Sequence, residues 1–102
     1  MKNFEIIAIA NIEITDVDTY RKYEKGFFPI LKKHNGSFIT FDDSPEHKEG
    51  DTPLNGRVIL FGFEAEEDAN NWINDPAYQE LSEFRRAGTD THSITFTKML
   101  KG

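Results

Sequence analysis

Hydrophobic positions along the chain alternate between a period of two and a period near 3.6, and the switches lay out the elements. From Phe4 to Ile14 one alternate set is Phe4, Ile6, Ala8, Ala10 and Ile12, and the other is Glu5, Ile7, Ile9, Asn11 and Glu13. That alternation predicts a strand. Thr15 or Asp16 can then cap a helix, with Asp16 and Asp18 near its positive end. Along this helix Val17, Tyr20, Tyr23, Phe27, Ile30, Leu31 and His34 fall on one stripe. Lys32 and Lys33 suit its negative end, and Asn35-Gly36 tolerates the positive φ that ends helices. Pro29 lies inside and removes one backbone hydrogen bond, which predicts a kink.

Ser37 to Phe41 reads as a second strand and Arg57 to Phe63 as a third. The loop between them, 42–56, has five acids against one lysine and is long for a connection, as functional flaps are. A second helix begins at Ala65 with three acids in its first turn, and Ala69, Trp72 and Ile73 share a face. Asp75-Pro76 interrupts it, because the residue before proline avoids helical angles. Asp75 can cap, and Pro76 can open, a further segment to about Ala87. Thr91 to Leu100 is the last strand.

The order βαββαβ predicts an α+β, ferredoxin-like sandwich: a four-stranded antiparallel sheet, its first and third strands central, with two helices on one face. The other face should be polar, yet both alternate sets of the first strand are apolar at mid-strand, and Ile59, Phe61 and Phe63 oppose Val58 and Leu60 in the third. A second copy of the chain would cover that face, each buried side chain contributing roughly 1.5 to 3 kcal/mol. The expected partner is therefore the chain itself, as a homodimer joined through its sheet faces.

Composition narrows the classes. A length of 102 residues predicts one domain over 1–102. The net charge of -6 argues against nucleic acid and anionic membranes as partners. The absence of cysteine excludes disulfides, thiolate metal sites and cysteine nucleophiles. No signal-peptide pattern or membrane-spanning run is present, which predicts a cytoplasmic protein. Nucleophile elbows, phosphate loops and dinucleotide glycine patterns are missing, and the histidines lack metal-ligand spacing. No metal and no cofactor is expected.

Several local signatures coincide: Asp16 with Tyr20 and Tyr23, Pro29 and Gly36, Glu49-Gly50-Asp51, and the stretch Trp72-Ile73-Asn74-Asp75-Pro76-Ala77-Tyr78-Gln79 followed by Arg85. In these the chain resembles the domain-of-unknown-function family 1330, within the dimeric α/β-barrel superfamily. It departs from the family in having Asn35-Gly36 in place of paired glycines, and Thr52 where an aromatic is usual. The resemblance implies a barrel-like dimer. Superfamily relatives include cofactor-independent monooxygenases of aromatic substrates, lactone isomerases and haem-degrading enzymes. The function it implies is a cofactor-independent enzyme, monooxygenase- or isomerase-like, on a small aromatic or enolisable compound. The alternative is a non-catalytic dimer binding a small molecule or a protein. A haem-binding reading would need an axial histidine facing a large cavity.

Arg85 and His92 are the candidate catalytic residues. Arg85 shares the inward side of its helix with Tyr78 and Leu81, where a charge is costly unless paired. It either clamps an enolate or carboxylate ligand, or pairs with an acid such as Asp75 or a residue of the second copy. His92 shares an alternate set with Ile94 and Phe96, so it is expected to point inward with them. His34 is either a general base or a partner for its helix's last carbonyls, and His47 is solvated. Tyr20, Tyr23, Trp72 and Tyr78 either line an aromatic cavity for a flat ligand or pack in the core with their polar tips satisfied.

Overall fold

The computed structural model describes residues 3–100. Its elements are β1 (Ile6–Ile14), α1 (Val17–Lys33), β2 (Gly36–Asp42), β3 (Arg57–Phe63), α2 (Glu66–Asn74), α3 (Pro76–Gly88) and β4 (Thr89–Lys98). The strands form one antiparallel sheet in the order β2-β3-β1-β4, with β1 and β3 central. This is the ferredoxin-like arrangement, with three helices in place of the expected two. Asp75 is the reason: it is extended (φ -65°, ψ 123°), it ends α2, and its carboxylate accepts from the Ala77 N–H at 2.8 Å to start α3.

Each α1 boundary follows from local chemistry. The Asp16 carboxylate accepts from the Thr19 N–H at 3.2 Å and the Thr19 hydroxyl at 2.8 Å, bonds that hold its pKa below the usual value. The helix runs unbroken through Pro29 and ends where Asn35 takes φ 56°. Gly36 follows because a Cβ there would collide with Leu31. At the other end of the chain β1 opens at Ile6, two residues later than the alternation suggests. Phe4 leaves the ladder and covers Gly62, where a Cβ would come within 2.6 Å of its ring.

The helices cover one face of the sheet. There Ile6, Ala8, Ala10 and Ile12 are at most 5% exposed. They meet Phe61 and Phe63 of β3, Tyr23 and Phe27 of α1, and Trp72 and Tyr78 below α2 and α3. The opposite face presents Ile7 and Ile9 of β1, with Leu60 directly across from Ile9 and Val58 across from Asn11, all four apolar side chains half-buried. Two irregularities bend the ladders. Ile39 is an extra residue in β2 between the Phe38–Phe61 and Thr40–Leu60 pairs, and His92 is an extra residue in β4 between the Ser93–Asn11 and Thr91–Ile12 pairs. Among the described residues no helix is long and apolar enough to cross a membrane.

Candidate functional site

Between α1 and the covered face lies a cavity of about 90 Å³. Its floor is Ala10, Ile12, Ile59, Phe61 and Ile94, and its roof is Tyr20, Tyr23 and Phe27. The space exists because Ala10 stands mid-floor, between Ile59 and Ile94 in the cross-strand row, where a longer side chain would fill it. Phe28, Phe38 and Phe41 line it toward the β2 edge, with Phe28 and Phe38 stacked 5.8 Å apart at an interplanar angle of 6°. Phe28 and Phe41 are half-exposed, so aromatic surface continues from the interior to the opening.

One end of the cavity is polar. Arg57 of β3 and Thr91 of β4 flank Ile12 in a single row across the sheet. Arg57 donates from Nε to Asp43 at 2.6 Å, from Nη2 to Asp43 at 3.2 Å and from Nη1 to Glu24 at 3.4 Å. Its guanidinium also lies 4.3 Å from the Phe41 ring centroid and 5.9 Å from that of Tyr20. The hydrogen bonds to Arg57 pull the Asp43 pKa down, and the same bonds raise that of Arg57. Burial, and then the Glu24 charge, push the Tyr20 hydroxyl up to about 12.

Arg85 enters the same end from α3 and is 9% exposed. Its Nη1 donates to the Thr91 hydroxyl at 2.8 Å, and its guanidinium lies 5.9 Å from the Tyr23 ring centroid. The Thr89 hydroxyl donates to the Arg85 carbonyl at 2.7 Å and lies 2.9 Å from the Thr91 oxygen, so Thr91 donates to Thr89 and accepts from Arg85. Nε of Arg85 is buried without a partner, and among the described residues Arg85 forms no ion pair. Behind this wall the Tyr23 and Tyr78 hydroxyls lie 2.8 Å apart in full burial. Burial, reinforced by Tyr78, drives the Tyr23 pKa well above its usual value.

The structure separates the residues singled out from sequence. Arg85, Tyr20 and Tyr23 line the cavity. Arg85 does not pair with Asp75. That carboxylate is held by His34 Nε2 at 2.8 Å and Lys33 Nζ at 3.0 Å, which join the end of α1 to the start of α3 and keep its pKa far below normal. The His34 ring thus meets a carboxylate, while its backbone N–H donates to the Leu31 carbonyl of its own helix at 3.1 Å. Trp72 and Tyr78 are fully buried and stand behind the cavity, their ring centroids 3.9 Å apart. His92 does not point inward with Ile94 and Phe96. The bulge puts Thr91 on the inward side, and His92 instead sits 2.7 Å from the Glu13 carboxylate.

Arg57, Glu24 and the Phe28–Phe38–Phe41 group escaped sequence reasoning. A signal for Arg57 was present: it shares an alternate set with Ile59, Phe61 and Phe63, so it had to face the helices. Glu24 had no such signal, being a polar residue one position after Tyr23 on a helix edge.

Comparison with known proteins places the architecture. A protein of unknown function from Rhodopseudomonas palustris superposes with a TM-score of 0.76 at 16% identity, over 99% of this chain and 86% of that one. SnoaB, a cofactor-independent oxygenase from Streptomyces nogalater, superposes with a TM-score of 0.66 at 9% identity, over 97% and 96%. HapK from Hahella chejuensis gives 0.61 at 11% identity, over 95% and 94%. At these identities the likeness is one of fold. No protein of curated function matches at a significant level. The signatures that run from Asp16 to Arg85 and the fold that carries them agree with the family match, which spans residues 6–99: the chain belongs to the family described as domain of unknown function 1330.

Proposed function

We propose that this chain is a small enzyme that takes an aromatic or enolisable compound into the cavity beneath α1 and acts on it without a bound cofactor. The observation that carries this reading is the cavity itself: aromatic on most sides, open at one edge, with Arg85 as its buried polar anchor. In that setting the Arg85 guanidinium would hold the carbonyl or enolate oxygen of the ligand, stabilising charge that develops there. Tyr20 and Tyr23 would bound the ring, and Trp72 and Tyr78 would hold Tyr23 and the helices in place. The fold shared with an oxygenase described as cofactor-independent supports the choice by analogy.

We further infer a cytoplasmic homodimer joined through the open sheet face. Half-buried Ile7, Ile9, Val58 and Leu60 on two central strands support it, since such a face needs a cover. A second reading, a binding protein without catalysis, draws support from the tyrosines: with their pKa values raised by burial, neither hydroxyl is a base near neutral pH.

The test is a calorimetric screen of small enolisable aromatic compounds against the wild type and Ala10→Leu, with oxygen uptake and product analysis on every binder. Binding that Ala10→Leu abolishes, with turnover in the wild type, supports the enzyme. Binding without turnover favours the second reading. Binding that survives Ala10→Leu locates the ligand elsewhere and overturns the cavity as the site.

A further inference from the structure

Two guanidiniums line the polar end of the cavity, and only one has its charge answered. Arg57 has two carboxylates, Asp43 and Glu24, whose side chains are 58% and 45% exposed. Arg85 lies deeper, nine-tenths buried, with one neutral hydroxyl on Nη1, a ring face beside it and a sealed Nε without an acceptor. A buried cation without a counter-charge is costly, because neither water nor a fixed anion replaces its lost hydration. Arginine cannot escape by losing its proton. A guanidinium presents its donors as a planar fork that matches a carboxylate or an enolate oxygen.

From this contrast we propose that the ligand is a planar aromatic monoanion, an aryl carboxylate or enolate, bound with its charged group on Arg85 and its ring between Tyr23, Phe27 and Phe61. The inference rests on the cavity reading above and adds the sign, number and direction of the ligand's charge. Thr91 cannot supply the missing charge, since its hydroxyl is neutral and only accepts a hydrogen bond from Arg85. A second anionic group at the far end of the ring would lie away from both guanidiniums, among the aromatic side chains that line the rest of the cavity. The site therefore selects one anionic end, pointing inward.

The probes are three compounds of one ring system: 2-naphthoate, its neutral isostere 2-naphthamide, and the dianion 2,6-naphthalenedicarboxylate, each titrated into wild type, Arg85→Lys and Arg85→Gln by calorimetry. The naphthoate is expected to bind wild type about tenfold to a hundredfold more tightly than the amide, the range for a charge-assisted pair. That preference should fall to about threefold or less in Arg85→Gln, with Arg85→Lys between. The dianion should bind more weakly than the monoanion. Equal binding of naphthoate and amide to wild type overturns the charge assignment while leaving the aromatic cavity standing, and that comparison needs no variant to fold. A preference unchanged in Arg85→Gln moves the anion site elsewhere, and a dianion that binds as well as the monoanion removes the selection for a single anionic end. If none of the three binds, the cavity reading falls and this inference with it.

Discussion

The two faces of the sheet are made of the same strands and end in different states. On β1, Ile6, Ala8, Ala10 and Ile12 face the helices and are almost wholly buried, while Ile7 and Ile9, one residue over, stay half-buried. The side chains are of one kind, so composition does not separate the faces. Cover does. The helices supply large aromatics to one face and nothing to the other, and on the covered face the small Ala10 turns part of that cover into a cavity. The comparison teaches that an apolar face can be finished by the chain, left half-buried, or underfilled, and that β1 carries all three conditions.

The largest break in the comparison comes from the finished part. Trp72→Ala removes the ring that packs on Phe61, Phe63 and Tyr78. It should cost about 3–5 kcal/mol of stability, read from denaturant midpoints. A loss under about 1 kcal/mol would contradict a close-packed core at this point. The unfinished part is broken next. Leu60→Glu puts a charge into the proposed dimer face, and the dimer dissociation constant should rise at least about a hundredfold. Sedimentation should then show a folded monomer; a wild type already monomeric at high concentration would end the dimer proposal.

Within the covered face, Tyr23→Phe deletes one member of the buried hydroxyl pair and leaves Tyr78 without its partner, at a cost of about 1–3 kcal/mol. Tyr78→Phe together with Tyr23→Phe should recover part of that loss, and the double-mutant cycle measures the pair. Smaller again is the effect of filling the cavity. Ala10→Val adds two methyl groups to empty space, so stability should change by less than about 1.5 kcal/mol while ligand affinity drops.

The smallest effect is acidic and lies at the helix ends. His34 and then Lys33 lower the folded pKa of Asp75, and Arg57 lowers that of Asp43. A depressed carboxylate stabilises the fold fully above its unfolded pKa, near 4, and the benefit fades as pH falls from there toward the lower folded values. Thermal scans should show stability declining below about pH 4, with a shallower slope in Asp75→Asn. An unchanged slope would mean that the clasp between α1 and α3 does not contribute.

Much of the fold was legible because period and punctuation agree. Asp16, Asn35-Gly36 and Asp75-Pro76 mark helix ends by mechanisms that act within a few residues, and the structure uses each one. The site was legible only in part. Arg85, Tyr20 and Tyr23 follow from helix periodicity, whereas His92 was misplaced because alternation assumes an unbroken ladder and a bulge has no side-chain signature. The Arg85–Asp75 pairing failed for a different reason: two groups on one helix were matched by charge, while His34 and Lys33 arrive from another element. Asp43 and Glu24 came together on Arg57 through tertiary contacts that no local pattern contains.

The bulge in β4 also settles which side chain stands next to Arg85. A regular ladder continued from Ser93 would have set His92 opposite Ile12 and faced its ring inward, where Thr91 now meets Arg85. The extra residue exchanges a ring for a short hydroxyl side chain at the polar end, and so leaves room beside Arg85. Whatever enters the cavity meets that hydroxyl beside Arg85, and the imidazole is left next to Glu13, on the outside.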